Sequence, residues 1–308
     1  MDRSLPPGLD ARGFLVADAV RAGMTPARLR SARLAVPHFG VRSIAQPESL
    51  LERAAAFAPL LQPWQSIGGV VALAVLGLPV PWRLRGSLGV DVVAPKGRGT
   101  PDRPGVRVRR VSDATLDAWE IEGVRVVAPP LAWALLAATC IERELVVLGD
   151  AIVSDAEHYP DRRVPGPLAT LDELRATVGR WTGRPGAARL RAALPRIRLG
   201  VESPRESDMR LFIVDAGMPE PEVQASVHDP ETGRLLGRAD LMHRDARVVE
   251  EYEGKGHRSK EQWERDIQKY RDFERIGLHV IRATNRDFVP SPDAWLRDLA
   301  AVLRDRTA

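Results

Sequence analysis

The residues best able to do chemistry lie in the run Val248-Val249-Glu250-Glu251-Tyr252-Glu253-Gly254-Lys255-Gly256-His257. Val248, Val249 and Tyr252 are strand formers, and the two glycines end the regular pattern. Side chains alternate along a strand, so Glu251 and Glu253 share one face, about 6.5–7 Å apart. Two carboxylates side by side on a rigid strand repel each other unless a cation neutralises them. Asp240 lies upstream in a second strand-like segment, Leu235–Met242, and the polar stretch His243–Ala246 between them is short enough for a hairpin turn. Folding that hairpin brings Asp240 opposite the Glu251/Glu253 face, with cross-strand neighbours about 5 Å apart. Three carboxylates on adjacent strands suit Mg²⁺, a hard cation that prefers oxygen ligands. A surface hairpin bearing solvated acids is the alternative reading. Glu250 falls on the other face, where a buried carboxylate needs either solvent or an arginine partner.

The elements that must hold this hairpin follow from periodicity and caps. Pro204–Ala216 is expected to be helical, with Ser203 as N-cap and Pro204 in the first turn. Val223–Val227 reads as a strand, and Ser259–Ile276 as a long helix with an apolar stripe of Trp263, Ile267, Tyr270, Phe273 and Ile276. In that stripe Trp263 and Tyr270 are expected to serve as core rather than as base-stacking platforms. His279–Thr284 is a buried-type strand and Pro292–Leu303 a closing helix. The order α-β-β-β-α-β-α describes a helix-covered mixed sheet over residues 201–308.

Upstream, residues 1–47 read as a winged helix-turn-helix. An apolar stripe ends at Gly23, Pro26–Arg33 forms a second helix bearing Arg28, Arg30 and Arg33, and Val36–Ile44 forms a wing-like hairpin. Residues 48–158 read as a mixed α/β body without a catalytic constellation. It contains helices at Glu48–Ala58 and Gly68–Leu76, extended segments at Gly89–Ala94, Val106–Val111 and Trp119–Val127, and a helical region at Leu131–Ala151. Residues 159–200 are expected to be a basic helical linker. The fold class is therefore α/β, α+β overall, in several parts.

Composition limits the function classes. The 308 residues allow two domains, and no run approaches the ~20 apolar residues of a membrane span. Cys140 is the only cysteine, which excludes disulfides and cysteine-based zinc sites within one chain; its apolar setting suits a small core residue. No apolar signal core follows Met1, so a cytoplasmic location without membrane partners is expected. Residues 201–308 hold 18 Lys/Arg against 22 Asp/Glu, while 1–200 carries a net +8. A basic part joined to an acidic, metal-ready part suits a polyanion held for chemistry.

Asp240, the Glu251-Tyr252-Glu253-Gly254 strand, His257 and the Arg265-Asp266 pair stand in an order that resembles the PD-(D/E)XK nuclease superfamily. Within it the likeness is to the domain related to very-short-patch-repair (Vsr) endonucleases. Glu202-Ser203-Pro204-Arg205-Glu206-Ser207 matches the start of that domain, and the resemblance covers about residues 200–290. It implies a restriction-endonuclease-like αβββαβ fold. Three departures stand out: Ala239-Asp240 replaces the "PD" dipeptide, Glu253 replaces the motif lysine with Lys255 two residues on, and Glu250 takes a usually apolar position. The N-terminal part resembles, more loosely, the winged-helix and following domain of AbiEi-type antitoxins, most clearly at Leu73-Ala74-Val75-Leu76-Gly77-Leu78.

These readings predict metal-dependent DNA cleavage, RNA being the other possible polyanion. Asp240, Glu251 and Glu206 would hold Mg²⁺ or Mn²⁺, and Glu253 would ligate the metal or orient its water. His257 would serve as general acid/base, its pKa lying near neutrality. Lys255 and Arg282 would contact phosphates, and Arg28, Arg30 and Arg33 the DNA bound by the winged helix. Asp266 would only pair with Lys269 or Arg265. The alternative is an antitoxin-like DNA-binding regulator, with an inactive nuclease fold and a cognate toxin or restriction/defence partner.

Overall fold

The computed structural model describes residues 5–87, 89–99, 102–112, 116–254 and 260–307. The chain is mixed α/β, with one two-stranded, one five-stranded and one four-stranded sheet among the described residues. It divides into two compact units: residues 1–145 with 161–194, and residues 146–160 with 195–308.

The first unit opens with β1 (Phe14–Leu15), α1 (Val16–Arg21) and α2 (Pro26–Leu29), followed by β2 (Val41–Arg42), which pairs antiparallel with β1. α2 is shorter than the expected Pro26–Arg33. Thr25 caps it, accepting from Arg28 N, and the helix ends at Leu29 with Arg30 as its C-cap. The wing is not a self-paired hairpin. A single bridge, Ala35 to Ser43, closes the loop, and its second limb pairs with β1 instead.

α3 (Leu50–Phe57), started by a Ser49/Glu52 capping box, leads to β3 (Ser66–Gly68) and the buried α4 (Gly69–Leu76). The helix expected at Gly68–Leu76 is present and starts one residue later, with Gly68 as its N-cap. Then come β4 (Val90–Pro95), β5 (Val106–Val111), β6 (Ala118–Ile121) and β7 (Val124–Val127), in sheet order β5-β4-β3-β7-β6. The expected single extended segment at Trp119–Val127 is a hairpin, turning at Glu122 and Gly123, both at positive φ. The helical region expected at Leu131–Ala151 consists of two helices, α5 (Pro129–Leu136) and α6 (Glu142–Val153), and Cys140 between them is buried.

Residues 159–200 are no linker. Within 161–194, α7 (Leu171–Arg180) and α8 (Ala187–Ala193) bury Leu174, Val178, Trp181, Leu190 and Ala193 as part of the first unit. Periodicity shows that these helices exist, but not that their apolar faces have a partner.

The second unit contains α9 (Pro204–Asp215), β8 (Glu222–His228), β9 (Leu235–His243), β10 (Val248–Tyr252), α10 (Lys260–Arg275), β11 (His279–Ala283), α11 (Asn285–Phe288) and α12 (Asp293–Thr307). The sheet order is β11-β10-β9-β8. β10 runs parallel to β11, and the other pairs are antiparallel. One face packs Leu241 and Val248 against Met209 and Ile213 of α9 and Trp295, Leu299 and Leu303 of α12. The other packs Ala225, Met242 and Val249 against Phe273 of α10. Asp150, at the end of α6, is fully buried and joins this unit through Arg210 (2.9 Å) and the Ser207 hydroxyl (2.7 Å).

Candidate functional site

β10 presents alternate side chains to the two faces, and this alternation sets the site. Val248, Glu250 and Tyr252 turn toward α9 and α12; Val249 and Glu251 turn toward α10. Glu253 lies just past the strand. Its N–H continues the pairing with β11 by donating to the Ala283 carbonyl (2.7 Å).

On the α10 face, Glu251 is 3% exposed, and its Oε2 takes an ion pair from Lys269 Nζ at 2.7 Å. Its Oε1 is buried without a hydrogen-bond partner. Tyr270 donates its hydroxyl to Glu253 Oε1 at 2.9 Å, and the Arg282 guanidinium stacks over the Tyr270 ring at 5.6 Å. Glu251 and Arg282 are register partners on β10 and β11. Asp240 accepts the Tyr252 N–H at 2.8 Å, so its carboxylate takes over the ladder where β9 leaves β10.

Glu206 enters from the first turn of α9, capped by Ser203, which accepts the Glu206 N–H. It is buried, and its Oε2 accepts from Glu202 N (2.9 Å) and Gln224 Nε2 (3.0 Å). Gln224 is a non-glycine residue at φ +49, between the pairs Val223–Leu241 and Ala225–Ala239. That left-handed conformation costs about 1–2 kcal/mol for an L-residue, a strain located where its amide meets Glu206.

Electrostatics ties these carboxylates together. Burial, reinforced by the Asp240 charge, pushes Glu206 up to about 8 and Glu251 up to about 7. Burial also raises Asp240, opposed by the Tyr252 N–H and Lys269 and assisted by Glu202 and Glu253. Burial and the neighbouring carboxylates raise the Tyr270 hydroxyl, which therefore stays a donor. Among the described residues Lys269 is the cation paired with this cluster, through Glu251.

An oxygen-only donor set with an orphaned, buried Glu251 Oε1 has the chemistry a hard divalent cation takes. As the side chains stand, no three His, Cys, Asp or Glu residues among the described residues gather closely enough to hold a metal. Lys269 lies on Glu251, and Glu206 Oε2 is turned to Gln224 and Glu202 N.

The opposite face answers the Glu250 question differently from the sequence expectation. Glu250 is fully buried, and its partner is neither solvent nor arginine but His243 Nδ1, at 2.8 Å. His243 Nε2 meets the Pro219 carbonyl at 2.9 Å. Both ring nitrogens therefore face acceptors, so the Nε2–H serves the carbonyl and a further proton lies between Nδ1 and Glu250. Burial pulls His243 down, but the Glu250 hydrogen bond and charge outweigh it and the net shift is upward; burial raises Glu250. Histidine and carboxylate neutralise each other, while Glu250 Oε2, like Glu251 Oε1, is buried without a hydrogen-bond partner.

Of the expected site residues, Asp240, Glu251, Glu253 and Glu206 interact as one electrostatic cluster, with Arg282 at its rim. Lys255 and His257 lie outside the described residues. Arg30 and Arg33 are exposed and Arg28 half-buried, in the first unit. Trp263, expected in the core, is 55% exposed, because α10 meets the sheet through Lys269 and Phe273, farther along the helix. Tyr270 is a hydrogen-bonding member of the site rather than plain core. Sequence reasoning missed Lys269 and Gln224 as members of the site. Lys269 had a signal: one turn before Phe273 on the buried stripe, it had to lie near the sheet.

No family model matches the chain. Two curated relatives, the uncharacterized proteins Rv2248 and MT2308 from two strains of Mycobacterium tuberculosis, are each 30% identical over 131 residues. Those matches take in 39% of this chain and 48% of each relative, so the chain spans about half the length of the curated relatives it matches. Among solved structures, the crystal structure of the Rv2827c protein from M. tuberculosis is similar at 15% identity with a TM-score of 0.39, over 72% of this chain and 85% of that one.

Proposed function

We propose that the second unit is a metal-dependent endonuclease domain that hydrolyses DNA phosphodiester bonds. The observation that carries this is the cluster of Glu206, Asp240 and Glu251, buried, mutually repelling and paired, among the described residues, with Lys269. Asp240 and Glu251, with Glu206 from α9, would hold Mg²⁺ or Mn²⁺, which when bound polarises a phosphoryl oxygen and lowers the pKa of its water. Lys269 holds Glu251 in place and offers a cation to a phosphate oxygen. Glu253, fixed by Tyr270, orients water, and Arg282 on the Tyr270 ring receives a neighbouring phosphate. His257 and Lys255 keep their proposed roles as proton carrier and phosphate contact. Arg28, Arg30 and Arg33 would hold DNA from the first unit, and we assign the protein to the cytoplasm.

The test is cleavage of plasmid DNA, and of RNA in parallel, by the full chain with Mg²⁺ or Mn²⁺, beside Asp240→Ala and Glu251→Ala. Nicking by the wild type alone supports the site. Equal nicking by all three proteins removes it.

A second reading is favoured by Lys269 lying on Glu251 and by the absence of a ready three-ligand group among the described residues. In it the chain is a DNA-binding regulator, antitoxin-like and with a cognate toxin, whose nuclease-type fold is a scaffold. Melting with and without Mg²⁺ separates the two, because a cation that binds the folded site must raise the melting temperature.

A further inference from the structure

We propose that the first unit carries a binding site for single-stranded nucleic acid between the wing loop and the basic β4–β5 edge. It is separate from Arg28, Arg30 and Arg33. β5 is the edge strand of the five-stranded sheet. It and the loop before it bear Lys96, Arg98, Arg103 and Arg110. Beside them is a groove of about 640 Å³, lined by Phe39, Trp64 and Arg103, with Asp102 the one carboxylate of its lining.

At this groove the Trp64 ring and the backbone that carries Phe39 are held in place. His38 packs edge-on against the buried Phe57, ring centroids 5.1 Å apart, and Arg103 donates to the Phe39 carbonyl at 2.9 Å. With the loop anchored on both sides, the Phe39 ring is 89% exposed. Trp64 donates its indole N–H to the Gly99 carbonyl at 3.2 Å, and the Arg98 guanidinium lies over its ring at 5.6 Å. One exposed apolar residue means little by itself. A fixed aromatic face at a groove, flanked by cations whose contacts at Arg98 and Arg103 are a ring and a backbone carbonyl rather than a carboxylate, is a different case. The cations suit phosphates, and the bare ring suits an unpaired base stacked on it. Paired bases in a duplex already stack on each other and cannot reach it, so the ligand is a single strand or an unpaired segment.

This rests on a nucleic-acid ligand but not on hydrolysis, so binding is measured in EDTA, where a metal-dependent nuclease is silent. Anisotropy of a labelled DNA of about 12 nucleotides, within the usual site sizes, is titrated with the full chain. Saturable binding is expected. Phe39→Ala weakens it about tenfold without moving the melting temperature, and Phe39→Trp restores it. Arg98→Ala with Arg103→Ala lowers the salt slope by about 1.4, two phosphates' worth for a single strand. An RNA strand bound equally or more tightly keeps the site and identifies its source. Duplex binding weakened by Phe39→Ala as much as single-strand binding, no effect of Phe39→Ala on the single strand, or equal affinity for polyglutamate, which would mean an acidic protein partner, each overturns the proposal. Glu251→Gln, which disables the proposed cleavage site, leaves this binding unchanged, so the two readings fail separately.

Discussion

Glu250 and Glu251 are neighbours on one strand and share the same chemistry, yet the protein treats them in opposite ways. Glu250 meets His243, whose other nitrogen is satisfied by a backbone carbonyl, and charge and proton balance locally. Glu251 shares its surroundings with Asp240 and Glu206 and has one lysine partner among the described residues; each of the two glutamates leaves one oxygen bare. A buried charge with its own partner is a structural pair, and breaking it by removing one member costs heavily. A buried cluster left short of positive charge stores repulsion that a cation or a proton relieves. The difference separates a carboxylate neutralised by its own partner from one buried among other carboxylates.

The sharpest way to break this comparison is His243→Ala. It strands Glu250 in the core and should cost about 3–5 kcal/mol of stability in urea denaturation; a loss below about 1 kcal/mol would show that His243 does not neutralise Glu250. Lys269→Met comes next, with a loss of about 2 kcal/mol, the range of hydrogen bonds to charged groups. That loss should be larger at pH 8 than at pH 5, because Glu251 then ionises without its cation.

Replacing the α9 cap, Ser203→Ala, should cost about 1 kcal/mol and also loosen the turn that presents Glu206. Glu251→Gln should have the smallest effect on the fold and the opposite sign at pH 8, raising the melting temperature while abolishing any Mg²⁺-induced rise. A melting temperature that falls as far as it does for His243→Ala would put the two glutamates in the same class.

The pH dependence follows the same sign on both faces. Glu206 and Glu251 titrate at about 8 and about 7 in the fold, above their ordinary 4.5, so the native state holds more protons than the unfolded chain between those values. Stability therefore falls as pH rises from about 5 to 8. His243 is also raised, so its contribution is present below its ordinary 6.5 and is lost as pH rises through the raised value. Thermal melts across pH 5 to 9 should show a steady decline, and Mg²⁺ should flatten it only if the α10-face cluster takes the ion.

In the second unit most of the fold was legible. Ser203-Pro204, the alternation through Val248–Tyr252 and the α10 stripe depend on contacts a few residues apart, which sequence spacing records directly. The first unit was read less well. The Leu131–Ala151 break, the Trp119–Val127 hairpin and the short α2 depend on where a neighbouring element stops, and an apolar run carries no mark of that. Residues 161–194 looked like a linker because their charge was visible and the surface that buries Trp181 and Leu190 was not.

Of the site, the sequence alone determined its carboxylates: Asp240, Glu251 and Glu253 follow from strand alternation and one hairpin, both local rules. Tertiary structure decided their company. Only the packing of α10 on the sheet lays Lys269 on Glu251. Only the path of β9 gives Glu250 its histidine, and only a left-handed residue in β8 turns Gln224 to Glu206. Those contacts join residues 7 to 18 positions apart across different elements. Their charges are settled by burial, which no residue sets alone.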